Sequence, residues 1–361
     1  MRSWLVFLTA MVVWAAGPAV LAGITVTSDG PMVQINTAGL PGTHIREHCT
    51  LWQTGDPSAG VMVYVDSSSG KVMRRTTTAD GGLTWAAGVD TGLTAPVGAA
   101  STDERNPVVR DFDQDGTLTG FFGTLQGSSA PTTATSRLFR ATSTDVGVSW
   151  SGESLLGFGG ADPNLGHTGT NGFIEAFETS GGGLRAYLAM NNITGTPSSA
   201  TRLIESADGG ANWTDLGNIL IDGKNNVIGA NGPVFTFVDD DDSQTKMGWL
   251  MFGESAHRGC YLMVSTDEGL SWALHTTLFT DSTVRSGDAN FLSDSKVRLF
   301  YYRNTGSVPS DRQLWYEDFT LSGMSGIEPN NLLGGGAPPI AEPGTVGLIG
   351  LGLAVLVRRR R

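Results

Sequence analysis

An eight-residue motif occurs four times in this chain and constrains its fold more than any other feature. The motif is [ST]-x-D-x-G-x-[STN]-W, and its copies occupy residues 78–85, 143–150, 206–213 and 265–272. Successive copies are separated by 65, 63 and 59 residues, counted from tryptophan to tryptophan. A nearly constant interval on this scale indicates repeated supersecondary units.

Each conserved residue type of the motif suits a tight turn that leads into a strand. Aspartate accepts hydrogen bonds from backbone groups that follow it. Glycine adopts backbone angles that other residues resist, and the tryptophan can fill the gap between packed layers. The motif is therefore predicted to be structural, with no part in chemistry.

The motif resembles the Asp box, or BNR repeat, of sialidase-type β-propellers, and the resemblance extends from about residue 43 to residue 321. It implies an all-β propeller of four-stranded blades. Five units can be counted, and the fifth, at residues 289–320, has no box and lacks a fourth strand. Residues 24–27 or 33–36 are predicted to supply that strand and close the ring. Six blades, as in sialidases, remain an alternative.

The N-terminal residues 1–22 are predicted to be a secretory signal peptide. Arg2 precedes an apolar run, and small residues stand before Gly23 at a suitable cleavage position. A retained membrane anchor is the alternative. The propeller is then assigned to residues 23–321, and the Gly-, Pro- and Asn-rich residues 322–340 are predicted to be a spacer.

The C-terminal residues 341–361 combine a Glu-Pro pair, a short apolar run at 344–357 and four terminal arginines. This combination resembles a PEP-CTERM sorting signal; a plain tail anchor is the alternative. The resemblance implies processing by an exosortase-like enzyme. It also implies export to the envelope, cell surface or extracellular matrix of a Gram-negative-type bacterium.

The formal net charge is −12, and five of the 23 basic residues lie in the two terminal segments. The chain between these segments is therefore strongly acidic, which disfavours nucleic acid as a partner. Membrane contact is expected only through the unprocessed terminal segments. The two cysteines, Cys49 and Cys260, fall in non-adjacent units. An exported protein can form a disulfide, so their pairing stays open.

The loops that lead into the innermost strand of each unit are predicted to crowd the propeller axis and form a ligand mouth. They gather histidines, arginines and carboxylates, with carbohydrate as the expected ligand and no cofactor or metal. Solvated loop residues are the alternative explanation. The substrate-binding candidates are Arg46, His48, Arg105, Asn106, Glu254, His257, Arg258 and Arg285.

Arg46, Arg258 and Arg285 are predicted to converge on a carboxylate through forked hydrogen bonds, as the sialidase resemblance implies. The tyrosine nucleophile of that family has no counterpart after Arg285, and its acid/base loop is reduced to residues 67–70.

Cleavage would then need paired carboxylic acids or a histidine. The catalytic candidates are Glu47, His167 and Asp288; Glu104, Glu254 and His257 are further acid/base options. Two functions remain open: a sialidase-type exo-glycosidase, or a non-catalytic glycan-binding or scaffold propeller. Residues 111–116 and 239–242 are acidic, but are predicted to be turns and not cation sites.

Overall fold

The computed structural model describes residues 24–35, 45–66, 72–96, 104–124, 137–159, 170–191, 199–221, 224–225, 235–239, 247–253, 258–304, 312–323, 327–334 and 340. In these residues the regular structure is β-strand. Across the same residues there is no helix long and apolar enough to cross a membrane.

The strands form five sheets, which are the blades of a five-bladed propeller. Blade 1 contains β3 (Ile45–Gln53), β4 (Asp56–Asp66), β5 (Val72–Thr78) and β6 (Val89–Asp90). Blade 2 contains β7 (Glu104–Arg110), β8 (Leu118–Thr124), β9 (Arg137–Ser143) and β10 (Ser151–Leu155). Blade 3 contains β12 (Thr170–Glu178), β13 (Leu184–Asn191), β14 (Ser199–Ser206) and β15 (Asn212–Asn218), with β11 (Gly157–Gly159) parallel to β15.

Blade 4 contains β18 (Phe235–Asp239), β19 (Met247–Gly253), β20 (Gly259–Ser265) and β21 (Ser271–Thr280), with β16 (Leu220–Ile221) and β17 (Lys224–Asn225) at its outer edge. Blade 5 contains β22 (Val284–Ser293), β23 (Lys296–Asn304) and β24 (Arg312–Ser322). The alternative of six blades is thereby resolved in favour of five.

The first strand of each blade lies nearest the axis. Contacts between first strands join blade 5 to blade 1, blade 1 to blade 2, blade 2 to blade 3 and blade 3 to blade 4. Within a blade, neighbouring strands are antiparallel. All first strands therefore begin at one end of the axis, here called the mouth face. They finish at the other end, called the box face, where the Asp boxes connect third strands to fourth strands.

The ring is closed by the N-terminal segment, as predicted. Strand β1 (Thr25–Ser28) pairs antiparallel with β24, and β2 (Val33–Gln34) pairs with the same strand further along. Both candidate segments thus serve as the outer edge of blade 5. This pairing covers a sheet edge that would otherwise expose unpaired backbone groups.

The four Asp boxes share one hydrogen-bond pattern, which confirms their interpretation as turns. In the first box, Asp80 accepts the Thr84 amide at 2.9 Å and the Thr84 hydroxyl at 2.6 Å. The Thr78 hydroxyl donates to Asp80 at 2.8 Å and accepts the Gly82 amide at 3.0 Å. The other boxes repeat these contacts through Asp145, Asp208 and Asp267.

Each box also docks against the preceding blade. Trp213 of blade 3 packs edge-on to Phe121 of blade 2, with ring centroids 5.5 Å apart. Gly210 is the fifth residue of this box, and its φ is +84°. A Cβ atom added to Gly210 would lie 2.5 Å from the ring of Phe121. Glycine is required there by both the left-handed backbone and the close approach of the aromatic ring.

A recurrent arginine contact, which the sequence did not reveal, completes this docking. An arginine of the preceding blade donates to the carbonyl oxygen of box position four in all four boxes. The pairs are Arg298 to Gly81 at 3.0 Å, Arg75 to Val146 at 2.7 Å, Arg140 to Gly209 at 2.7 Å and Arg185 to Glu268 at 2.7 Å. These arginine latches link the blades in sequence around most of the ring.

Loss of one latch is expected to destabilise the ring. Arg298 is 9% exposed and binds the Gly81 carbonyl and both carboxylate oxygens of Asp318. Hydrogen bonds to charged groups contribute about 1.5–3 kcal/mol each, so Arg298→Gln should lower the free energy of unfolding by about 2 kcal/mol in urea denaturation. Lys296→Gln is the control, because Lys296 lies on the same strand but is 56% exposed. Equal effects of the two substitutions would contradict the latch.

The C-terminal part of the propeller departs from the sequence prediction. Residues 322–340 were expected to be a spacer, but β25 (Ile327–Pro329) pairs antiparallel with β18. Strand β26 (Leu332–Leu333) then pairs parallel with β3. Because both partners are innermost strands, residues 327–334 enter the central channel and turn back within it. This segment is here called the plug. Its backbone groups find partners in strand edges that face the axis.

The two cysteines do not pair. Cys49 lies between blades 1 and 2, Cys260 lies in blade 4, and both are buried free thiols. Their positions agree with the predicted non-adjacent blades. Burial raises the pKa of Cys49 to about 12, so the thiol is neutral at physiological pH.

Candidate functional site

The sequence predicts a ligand site at the mouth face. The described residues of the innermost strands show how the channel below that face is lined. Side chains of β3 alternate between the two neighbouring blades. Glu47 and Cys49 face blade 2, whereas Thr50 and Trp52 face blade 5. Two seams therefore flank β3. Glu47 and Asn106 lie in the seam with blade 2, whereas His48 and Asp288 lie in the seam with blade 5.

The two acids predicted to transfer protons both bind backbone amides of another blade. Glu47, 8% exposed, accepts the Asn106 amide of blade 2 at 2.8 Å. Asp288, fully buried, accepts the Thr50 amide of blade 1 at 2.5 Å and the Ala289 amide at 2.8 Å. Innermost strands are sheet edges with free N–H groups, and these carboxylates satisfy them. Such placement does not support proton transfer by Asp288.

Asn106, a predicted binding residue, serves the same junction. Its backbone is left-handed, with φ of +42°, and its side chain is 3% exposed. Asparagine tolerates this conformation better than most residues. The pairing of β7 with β8 shifts register between Arg105 and Val108, so a bulge turns the Asn106 amide towards Glu47. Asn106 is thus part of the blade junction.

His48, another predicted binding residue, is completely buried in the seam between blades 1 and 5. Burial lowers the pKa of His48 to about 4, and a backbone contact with Phe300 only partly opposes this effect. The imidazole is therefore neutral at pH 7. A neutral ring without solvent contact does not support a role in binding an anionic ligand.

The buried imidazole makes the stability of the fold depend on pH. Below its unfolded pKa of 6.5 the unfolded chain takes up a proton that the folded chain accepts only near pH 4. The contribution of His48 to the free energy of unfolding is therefore complete above pH 6.5. It falls by about 3 kcal/mol as the pH drops to 4. Urea denaturation of His48→Gln should show a correspondingly smaller loss over this range. Parallel curves for both proteins would contradict the assignment.

An ion pair that sequence reasoning missed lies at the centre of the molecule. Arg110 of blade 2 donates to Glu175 of blade 3 at 2.8 Å, and both side chains are at most 1% exposed. The guanidinium also donates to the Cys49 sulfur and the Val109 carbonyl, each at 2.9 Å. Burial raises the pKa of Glu175, while Arg110 and the Ala176 amide oppose that rise. The pair joins three blades at the axis.

The plug closes the channel on the box side of this ion pair. Asn330 donates to Glu175 at 3.2 Å, and the buried Asn331 donates to the Ala289 carbonyl at 2.8 Å. The Trp52 amide in turn donates to the Asn331 carbonyl at 2.9 Å. Asp111, in the acidic segment predicted to be a turn, accepts the amides of Gly116 and Gly334 at 3.0 and 2.8 Å. It is indeed a turn, and it also fixes the end of the plug.

Three of the predicted binding residues have described side chains, and of these three Arg258 lies nearest the mouth. Its guanidinium donates to the Ser282 carbonyl at 2.7 Å, and the Asp281 amide donates to the Arg258 carbonyl at 3.1 Å. Residues 281–283 lead into β22, and Ser282 lies three residues before Arg285 in the chain. Arg258 and the backbone of Arg285 therefore lie on the mouth face, as predicted.

The other predicted site residues are only partly covered by the structure. The backbones of Arg46, Arg105 and Arg285 lie near the starts of innermost strands, so they share the mouth face. Their side chains lie outside the described residues, as does the side chain of Glu104. His167, Glu254 and His257 lie outside the described residues altogether. Their roles remain predictions.

In the described part of the chain, no group of three or more His, Cys, Asp or Glu side chains is arranged to hold a metal ion. A shallow groove of about 240 Å³ lies at the first Asp box, lined by residues 77–80 and 84–86. It opens on the box face. The hydrogen-bonding oxygens of Asp80 already bind within the box.

Comparison with protein families identifies residues 339–361 as a PEP-CTERM protein-sorting motif. The chain thus combines a five-bladed β-propeller that contains four Asp-box turns with a C-terminal PEP-CTERM sorting motif. The motif indicates an exported, surface-sorted protein and implies processing by an exosortase. The predicted resemblance of the C-terminus is thus confirmed. A comparison with curated protein sequences finds no match.

Solved structures similar to this Asp-box propeller include glycoside hydrolases. The family 117 glycoside hydrolase Zg3597 of Zobellia galactanivorans is 11% identical, with TM-score 0.54 over 83% of this chain and 91% of that chain. The α-L-arabinofuranosidase of Lactobacillus brevis is 12% identical, with TM-score 0.54 over 86% and 99%. The NanB sialidase of Streptococcus pneumoniae is 9% identical, with TM-score 0.49 over 81% of this chain and 70% of that chain. These likenesses show the fold alone.

Proposed function

We propose that this exported propeller binds carbohydrate at its mouth face and does not cleave glycosidic bonds through Glu47 or Asp288. The observation that carries the proposal is the placement of these two acids at the axis. Both are buried and accept backbone amides of a neighbouring blade. A general acid must reach its substrate within hydrogen-bond distance, and a nucleophile must reach the anomeric carbon.

Carbohydrate is proposed as the ligand because the fold is similar to those of glycoside hydrolases and because the mouth carries several arginines. Arg46 and Arg285 belong to strands that begin on the mouth face, and Arg258 directly precedes another such strand. Arginine binds carboxylates through paired, charge-assisted hydrogen bonds. We therefore favour an acidic glycan, bound at the cell surface or in the exopolysaccharide matrix of a Gram-negative-type bacterium after removal of the proposed signal peptide.

The test uses the chain from residue 23 to residue 340 on a panel of neutral and acidic glycans, with binding and sugar release measured in parallel. We expect binding of an acidic glycan without release. Arg46→Ala and Arg285→Ala should each weaken binding at least tenfold. Lys296→Gln removes a charge on the opposite face and should leave binding unchanged. Equal losses from all three substitutions would contradict binding at the mouth.

The competing function is an exo-glycosidase, which the likeness to a family 117 glycoside hydrolase and an arabinofuranosidase favours. In that case His167, Glu254 or His257 would supply the acid/base chemistry. Sugar release by the wild type, abolished by His167→Ala or Glu254→Gln with unchanged thermal stability, would establish this alternative. Release abolished by Asp288→Asn with intact folding would overturn the assignment of Asp288 to the structural axis.

A further inference from the structure

The path of the plug fixes where the C-terminal tail leaves the propeller. Strand β24 runs parallel to β22 within blade 5 and therefore ends at the box face. β25 then enters the channel antiparallel to the end of β18, and β26 returns parallel to the end of β3. Gly334 is held by Asp111, which follows the last residue of β7. The tail therefore enters and leaves the channel at the box face.

The sorting motif follows this exit closely. It begins at residue 339, five residues after Gly334, and its apolar run begins at residue 344. Extended chain spans at most about 3.6 Å per residue, so ten residue steps reach about 36 Å at most. Ile340 packs against the core cluster between blades 1 and 2 that also contains Leu333. Only three residues separate Ile340 from the apolar run.

A second, independent feature of the box face is a set of exposed aliphatic side chains. Box position six carries Leu83, Val148 and Leu270, which are 39%, 48% and 41% exposed. These positions are the tips of turns on three different blades. Exposed apolar side chains on the face where a tethered tail leaves suit contact with a lipid surface. The net negative charge of the protein disfavours anionic lipid.

We propose that the box face is the membrane-facing side of the unprocessed protein, with Leu83, Val148 and Leu270 resting on a zwitterionic lipid surface. The short tether from the plug holds this face towards the bilayer in which the tail is anchored. The mouth then points away from the membrane, about one strand length distant, which is about 30 Å for nine residues. The proposal is independent of the ligand that the mouth binds.

Orientation can be measured on the chain from residue 23 to residue 361 in phosphatidylcholine vesicles that contain an acceptor dye on the lipid headgroups. A donor dye is attached at Leu270→Cys on the box face or at Ser282→Cys on the mouth face. Native Cys49 and Cys260 are buried and should not react. We expect energy transfer to the lipid to be at least twofold more efficient from position 270. Equal transfer, or greater transfer from position 282, would overturn the proposal.

A tether variant separates orientation from simple proximity. Insertion of about 20 Gly and Ser residues after Gly334 leaves the plug in place and lengthens the flexible reach. The difference between positions 270 and 282 should then fall to near zero. A difference that survives the insertion would show that the tether does not set the orientation. Thermal denaturation of each variant confirms that the propeller remains folded.

Discussion

Replacement of Arg110 by methionine is expected to lower the free energy of unfolding by about 3–5 kcal/mol, because it leaves the carboxylate of Glu175 buried without its cation. Arg110 and Glu175 are 1% and 0% exposed. The substitution also removes the donor to the Cys49 sulfur and to the Val109 carbonyl. Urea denaturation at pH 7, followed by tryptophan fluorescence, measures the change.

The double variant Arg110→Met, Glu175→Gln is the matched control. It removes both charges, so it should recover at least about 1.5 kcal/mol relative to the sum of the single effects. Strictly additive effects would mean that the pair does not act as a unit. A double variant less stable than either single variant, with no recovery, would contradict the assignment of the loss to an uncompensated charge.

The pH dependence of the stability of the single variant Arg110→Met gives a further check on the ion pair. Loss of Arg110 raises the folded pKa of Glu175 still further above its unfolded value of 4.5. The folded chain then holds a proton that the unfolded chain has released. Stability therefore falls as the pH rises above 4.5, and the deficit of Arg110→Met should be larger at pH 8 than at pH 4.5. His48 titrates in both proteins and cancels in the difference.

The plug is expected to contribute strongly to stability, and Leu333→Ala tests it. Leu333 is fully buried among residues of blades 1 and 2. Removal of its side chain should cost about 2–4 kcal/mol, through lost apolar burial and the cavity left behind. Leu83→Ala is the control, because Leu83 is 39% exposed and should change stability by less than about 0.5 kcal/mol.

Truncation offers a second test of the plug. A chain that ends at Ile340 retains β25 and β26 and should unfold at the temperature of the longer chain. A chain that ends at Gly323 loses both strands, together with the contacts of Asn331 to Ala289 and of Gly334 to Asp111. We expect a clearly lower melting temperature for the second chain. Equal melting temperatures would show that residues 327–334 do not stabilise the channel.

The repeated local pattern could be predicted from the sequence because its cause is local. The hydrogen bonds of Asp80 to Thr84, four residues away, need nothing beyond the turn itself. The closure of blade 5 could be predicted for a different reason, because a unit without a fourth strand leaves a sheet edge that must be covered. The turn at residues 111–116 was predicted from adjacent residues, like the Asp boxes. Its bond to Gly334, 223 residues away, was not.

The candidate site was less predictable, because the function of a polar residue at the axis depends on which blade faces it. Glu47 and Asp288 were predicted to face the ligand mouth, yet both are buried and bind backbone amides of neighbouring blades. Glu47 and Asp288 follow Arg46 and Arg285 closely on the same innermost strands, so adjacent sequence does not tell their roles apart. Contacts with the neighbouring blades are what place Glu47 and Asp288 in the blade junctions.

The Asp boxes and the C-terminal sorting motif could be predicted from the sequence, because each depends on a short run of adjacent residues. The all-β class followed from the repetition of the boxes. The strand that closes the ring followed from the missing fourth strand of the fifth unit, although the paired residues Thr25 and Ser322 are 297 positions apart. Tertiary structure decided the number of blades, the Arg110–Glu175 pair, the arginine latches and the insertion of residues 327–334 into the channel. Each of these joins groups from different blades. Free backbone groups at the innermost strand edges and buried charges require partners, and those partners are set by the ring and not by the local sequence.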